Sequence, residues 1–533
     1  MNEPPVPQTW ARPTVSEVGT VRLGRQRSPE RMTGRYFTKY LRAANIGPEG
    51  LNLADILEMD FTPAEQETFA LQAGDVLLAE ASGSASHVGR AAIWDAELPL
   101  CCIQNTVIRF RAHAALPEYA LTVFRHYAAS GLFARTARGV GILHLGGRRL
   151  GELPFPLPPL AEQRRIAQEV HIRSGELRQA KASLESALAR TNEQDIVILA
   201  AAATGELTRT GRDRPTSRQQ WSTARIDEVG QVTLGKARSR TSPSGSEGRQ
   251  YLRVANVLED RIDLSDLNEM HFTPAEIEKY TLKRGDVLLN EGQSPELVGR
   301  PAMYRGEQPG LCFQNALLRF RAGPTVDAEF ALLVFRHYLH SGQFRRVSRR
   351  STNIAHLSRA RFAELPFPVP PLAEQRAIAK EARDRLKASA EQRSSITEAL
   401  ARLPAMSAEL LAAAATGTLV PQHPDEGTGA QHLSLLGPPP TEKPRTKEPP
   451  DQEATPMPTP KRARRSRRPL AELLTDRGTL RLPELCKAAA LDPNDIGDIE
   501  TFYTMLRDEL GLTIRPVGEP TENQQLEAID RAP

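Results

Sequence analysis

A glutamine or asparagine amide can bond N6 and N7 of adenine together, and an arginine guanidinium forks onto O6 and N7 of guanine. The 533-residue chain sets out such side chains twice. The first group is Arg90, the pair Gln104 and Asn105, and a loop from Arg135 to Arg149 that holds Arg138, His144 and Arg148. The second is Arg300, the pair Gln314 and Asn315, and a loop from Arg345 to Arg361 with Arg349, Arg350, Asn353 and His356. Ser, Thr, Asn and Arg interleave over Arg345–Asn353, a composition suited to phosphate and base contact, with a solvated surface as the bland alternative. Gln104–Asn105 and Gln314–Asn315 read either as base contacts or as scaffold hydrogen bonds, because both groups carry them unchanged.

Catalytic chemistry lacks its residues. There is no Gly-x-x-x-x-Gly-Lys-[Ser/Thr] loop, no Gly-x-Gly-x-x-Gly, no Asn/Asp-Pro-Pro-aromatic tetrapeptide, no Gly-x-Ser-x-Gly elbow and no His-Glu-x-x-His. Cys102 and Cys312 stand in apolar, strand-like context and read as buried structural thiols. No catalytic residue, no metal site and no cofactor are expected in this chain.

The two groups correspond because the chain contains itself twice. Trp10 recurs as Trp221, and Leu41-Arg42-Ala43-Ala44-Asn45 as Leu252-Arg253-Val254-Ala255-Asn256. Phe61-Thr62-Pro63-Ala64-Glu65 recurs unchanged from Phe272 to Glu276, and Gly74-Asp75-Val76-Leu77-Leu78 from Gly285 to Leu289. Pro158-Pro159-Leu160-Ala161-Glu162-Gln163-Arg164 recurs unchanged from Pro370 to Arg376. Residues 1–210 and 211–422 are therefore two copies of one unit, far longer than a solenoid repeat. Identical positions should carry what both copies share. Divergent loops, Ala81–His87 against Gly292–Leu297 and 135–149 against 345–361, should carry what each does differently.

Each copy has two textures. Residues 1–157 and 211–369 mix short apolar runs with Gly and Pro, which predicts mixed α/β domains. In 158–210, Ile166, Val170, Leu177, Leu184 and Leu188 step by four or seven; in 370–422, Ile378, Leu386, Ile396 and Leu400 supply the matching stripe. The spacing predicts two helical rods of ~60 Å paired as a coiled coil. Residues 421–460 hold 11 prolines and no aromatic residue, so 423–468 is predicted to be a disordered linker ending in the basic run Lys461–Arg468. Leu470, Leu473, Leu474, Leu482 and Leu485 predict a small helical domain over 469–533.

Lys and Arg number 69 against 65 Asp and Glu, a net charge of +4 that permits a polyanionic partner without demanding one. The longest apolar run, Ile196–Ala203, falls far short of the ~20 residues that span a bilayer. The start, MNEPPVPQTW, has no basic-then-apolar design, so a cytoplasmic protein without membrane contact is expected.

The segment 153–166, its copy at 365–378, and the ends Ala-Ala-Ala-Thr-Gly-Glu-Leu (201–207) and Ala-Ala-Ala-Thr-Gly-Thr-Leu (413–419) resemble the specificity subunit of type I restriction-modification enzymes. Gly-Asp-Val-Leu-Leu, Val-Gly-Arg and Asn353-Ile354-Ala355-His356-Leu357 look like that family's target recognition domains. The resemblance covers residues 8–420. It implies an α+β fold of two target recognition domains held apart by two long antiparallel helices. Each domain would read one half of a bipartite site in double-stranded DNA, across a spacer set by the helices. It implies no catalytic centre in this chain. Two modification subunits would use S-adenosylmethionine to methylate adenine N6, and through them restriction subunits would hydrolyse ATP with Mg. The Leu160–Arg164 and Leu372–Arg376 segments would organise the scaffold and partner docking. Beyond residue 420 the chain departs from the family, and the basic run reads as phosphate attraction or as a solubilising linker. Two rival readings stand beside this one. A self-contained methyltransferase-nuclease component needs a cofactor motif that is absent; a protein-scaffolding adaptor would bind DNA without sequence preference.

Overall fold

The run Val76-Leu77-Leu78-Ala79 has no polar side to offer solvent, and the computed structural model covers it on both faces. It lies inside a four-stranded antiparallel sheet whose order is Gly19–Leu23, Val107–Ala112, Val76–Ala79 and Ala91–Ile93. Val76 and Leu78 enter one core, closed by the helix Pro117–Ala129. Leu77 and Ala79 enter a second core, closed by the three strands Leu57–Asp60, Phe37–Leu41 and Cys102–Ile103. The second repeat builds the same two cores around Val287–Asn290. Residues 6–26, 34–139, 141–207, 221–237, 247–351, 354–440, 470–477, 479–489, 505–506, 514–517 and 525–528 are described.

The peptides shared by the repeats are mostly scaffold chemistry. Phe-Thr-Pro-Ala-Glu is a capping box: the Thr62 hydroxyl accepts from the Glu65 N–H at 3.3 Å, and Glu65 accepts from the Thr62 N–H at 3.0 Å. Thr273 and Glu276 repeat it. In Gly-Asp-Val-Leu-Leu, the buried Asp75 takes the Arg111 guanidinium through both oxygens at 2.7 Å, as Asp286 takes Arg321 at 2.6 Å.

Two helices of 45 residues, Leu160–Thr204 and Leu372–Thr416, carry the long-range architecture. Each begins on its own repeat. Gln163 accepts the Leu116 N–H at 2.7 Å and donates to the Pro158 and Ala114 carbonyls, while Gln375 ties Asp327, Thr325 and Pro370 in the same way. Glu162 accepts the Trp10 indole N–H at 3.0 Å, and Glu374 that of Trp221 at 3.3 Å. The Pro-Pro-Leu-Ala-Glu-Gln-Arg segment is thus a docking joint between helix and domain. Each helix ends on the other repeat: Leu199 and Ala202 join the second repeat's core, Leu410, Leu411 and Ala414 the first's. Their glycine ends have positive φ, and the tryptophans press against them. A Cβ on Gly417 would meet Trp10 at 3.0 Å, and one on Gly205 would meet Trp221 at 2.3 Å. The helices run antiparallel. Their waist is more polar than the predicted stripe, with Thr191 and Ser389 buried and Arg393 ion-paired to Asp195.

Two expectations need correction. The predicted disordered linker begins as ordered structure: residues 421–437 form a strap on the first repeat, with a helix at Gly429–Leu436. Gln422 donates to Glu162, Arg165 pairs with Glu426 through both guanidinium nitrogens, and Gly429 donates to the Thr9 carbonyl at 2.8 Å. The segment has too few apolar residues for a core of its own and borrows one, laying Leu433 against the first repeat. Residues 441–469, with the basic run, lie outside the described residues. The tail, predicted to be helical, is mixed. Helices Leu470–Arg477 and Leu482–Ala488 accompany a three-stranded antiparallel sheet ordered Leu480–Arg481, Gln525–Ala528, Ile514–Val517. Gln525-Leu526-Glu527-Ala528 alternates polar and apolar with the strand period. Among the described residues, no helix is long and apolar enough to cross a membrane.

Candidate nucleic-acid interface

The two divergent loops of each repeat, far apart in sequence, meet in one small sheet. In the first repeat Ala81–Ser82 pairs with Leu143–His144, and Arg138 bridges His144 from the other side. In the second, Gly292–Gln293 pairs with Ile354–His356, which pairs with Arg349–Ser351. The central strand is pinned from behind. Leu145 and Leu357 are fully buried and donate their N–H to the Glu80 and Glu291 carbonyls, at 2.8 and 2.7 Å.

Arg138, His144, Arg349 and His356 therefore converge as two equivalent, exposed pairs. Arg350 follows Arg349 in the same strand, and Asn353 lies outside the described residues. Two residues missed in the sequence complete the picture. The Glu80 carboxylate meets His144 Nδ1 at 3.0 Å, and the Glu291 carboxylate lies 3.8 Å from His356 Nδ1. Both directly follow the Val-Leu-Leu strand in their copies, a positional signal that the repeat alignment already contained.

The other candidates divide. Arg90 and Arg300 sit beside the same strand end: their carbonyls accept the Ala79 N–H at 2.9 Å and the Asn290 N–H at 3.2 Å. Arg300 is half-buried, and burial lowers its pKa. Gln104 and Asn105 commit their backbone to the scaffold, donating to the Leu41 and Arg25 carbonyls, as Gln314 and Asn315 do to Leu252 and Lys236. Gly24 and Gly235 permit this closeness, since a Cβ there would come within 2.2 and 2.3 Å of the Gln104 and Gln314 carbonyls. Arg148 is separate from the small sheet. It stands 91% exposed on the turn Gly147–Gly151, paired with Glu152 at 2.8 Å, and its counterpart in the second repeat is Ala360.

Cys102 and Cys312 are buried in strands; burial pushes the Cys102 thiol up to about 12 and raises that of Cys312, the opposite of an activated nucleophile. Among the described residues, no group of His, Cys, Asp and Glu is placed to hold a metal ion.

Two copies of one domain, each with its small loop sheet, are joined by two anchored helices, and residues 7–178 and 218–387 each match the type I restriction modification DNA specificity domain; the chain belongs to that family. It is 24% identical over 461 residues to the StySPI specificity subunit of Salmonella potsdam, spanning 82% of this chain and 96% of that one. It is 22% identical over 450 residues to the EcoKI specificity subunit of Escherichia coli K12, spanning 81% and 94%. Among solved structures, the HsdS subunit of Thermoanaerobacter tengcongensis shares the fold at a TM-score of 0.51 and 18% identity, over 78% of this chain and 98% of that one. A chain from a type I restriction-modification assembly, also 18% identical, gives a TM-score of 0.59 over 78% and 99%.

Proposed function

We propose that this chain is the DNA-specificity subunit of a type I restriction-modification complex, and that it carries no catalytic centre of its own. Each repeat reads one part of a bipartite target in double-stranded DNA, and the helix pair sets the gap. The observation that carries this reading is the gathering of each repeat's divergent loops onto one small sheet, on domains joined by helices anchored at both ends. Phosphate contacts would position the protein, and the divergent side chains would specify the sequence.

Two modification subunits would dock on this scaffold with S-adenosylmethionine, and restriction subunits using ATP and Mg would join through them. The chemistry would belong to those partners. The basic run 461–468 would add phosphate attraction or serve as a solubilising linker, and the tail would dock another subunit or DNA.

Co-expression with a methyltransferase subunit, followed by genome-wide mapping of N6-methyladenine, tests the reading. The expected result is a split motif in which replacing residues 1–150 by those of another family member changes one half alone. A complex that forms without any motif would favour the scaffolding adaptor.

A further inference from the structure

Within the segments 138–145 and 349–357, four residues keep their identity in both repeats. These are Arg138 and Arg349, Ile142 and Ile354, His144 and His356, and the buried Leu145 and Leu357 that anchor them. The leucines have a packing reason to be identical. The other three do not. Ile142 is 54% exposed and Ile354 48%, while the side chains of His144 and His356 are 52% and 47% exposed. Arg138 and Arg349 are exposed as well.

The register explains how they act together. Arg349 lies directly opposite His356, so their side chains stand on one face of the sheet. Ile354 lies two residues before His356 and shares that face, while Ala355 between them is fully buried on the other. In the first repeat Arg138 and His144 exchange both backbone hydrogen bonds, at 3.0 and 2.8 Å, and Ile142 again precedes the histidine by two. Glu80 hydrogen-bonds the His144 imidazole, and the Glu291 carboxylate lies near that of His356.

We infer that these two Arg–His–Ile faces are a matched pair of clamps for the sugar–phosphate backbone of DNA, one for each half-site, and that they read no base. A residue kept identical at an equivalent position cannot by itself tell two different half-sequences apart; it suits what every duplex presents. The guanidinium supplies a charged fork for phosphate oxygens, and the branched isoleucine supplies an apolar surface for deoxyribose. Base reading then falls to the exposed positions that differ around them. This division rests on the DNA-specificity reading above.

The test uses the full-length chain and its Arg138→Ala, Arg349→Ala and double variants. Each is selected against a randomised duplex library, and binding to one mixed-sequence duplex is followed across salt concentrations. Each arginine is exposed, so unchanged thermal unfolding serves as the folding control. The clamp predicts that every variant selects the wild-type motif. Each single variant should lose roughly five- to tenfold in affinity for any duplex, and its log–log salt slope should become shallower by about 0.9, twice that in the double variant. Loss of preference at a base in one half would overturn the clamp and make that arginine a base reader. An unchanged slope would overturn it too, and would place the face against a protein. If the wild-type chain itself selects no motif, the specificity reading fails instead.

Discussion

The glutamate that opens each long helix has the same neighbours in sequence and different ones in space. Glu162 is buried, holds the Trp10 indole and also takes Gln422 from the strap; Glu374 is half-buried and holds Trp221. The contrast reverses on the far side of each domain, around the shared Phe-Arg-His-Tyr peptide. Arg336 is clamped by Glu259 at 3.0 Å and Asp260 at 3.3 Å, and Asp260 and Glu329 also hold Arg305. Its counterpart Arg125 makes no ion pair among the described residues. Burial and Arg178 lower its pKa, and Glu49 opposes them. Pro48 stands where the second repeat has Glu259, and Asp95 where it has Arg305. One scaffold is thus secured twice by different means: a borrowed strap on the first repeat, an ion network on the second.

The largest test of that difference is Trp10→Ala. Trp10 packs edge-on against Tyr119 and lies in the first core, and removing such a side chain costs about 3–5 kcal/mol. Trp221→Ala should cost clearly less, because Trp221 is only partly buried. Chemical unfolding of the two variants checks this; equal losses would mean that the strap adds nothing at the joint.

Next in size is the arginine. Arg336→Met removes one cation from the Glu259 and Asp260 carboxylates, which keep His340 and Arg305, and should destabilise by about 1–3 kcal/mol. Arg125→Met removes a partly buried cation that lacks a close carboxylate, so its stability should stay within about 1 kcal/mol of wild type or rise. Denaturant midpoints decide it, and a large loss at Arg125 would show the two halves to be secured alike.

The smallest effect is in pH, and its sign differs between the halves. Burial raises the Glu162 pKa above its ordinary 4.5, with Gln422 and Trp10 only partly offsetting it. Its stabilising contribution is therefore full below that ordinary value and is lost as pH rises through the raised one. For Glu259 burial also pushes upward, but His340 and Arg336 outweigh it and the pKa falls below 4.5. That contribution is present above the ordinary value and is lost as pH falls through the lowered one. Thermal unfolding between about pH 6 and about pH 3 should show Glu259→Gln removing an acid loss and Glu162→Gln removing an acid gain. Shifts of one sign in both variants would break the contrast.

The duplication, the long helices and the central strands were legible because each rests on a signal spread over many residues. Val76–Ala79 is apolar throughout, and Ile166, Val170 and Ile378 fall on the buried side of their helices. What escaped was structure that depends on a partner surface. The strap has a linker's composition and is held by single residues, Gln422, Glu426 and Gly429, each meaningful only against the first repeat. The tail's strands are four residues or fewer, too short for a periodic signal. In the site, His144 and His356 were visible through the repeat, but nothing in the sequence paired them with Glu80 and Glu291. Gln104 and Gln314 have the chemistry of base readers, and Gly24 and Gly235 let their backbones pack closely into the scaffold, a closeness that no periodic signal announces.

The equal length of the two long helices constrains how such a gene can change. Inserting one codon into either helix lengthens it by about 1.5 Å and turns everything beyond by about 100°. Because both ends are fastened to different domains, the unaltered helix opposes that shift and rotation. Heritable changes in the gap between half-sites should therefore arrive as paired insertions, near whole helical turns, and target sites drift in steps rather than by single bases.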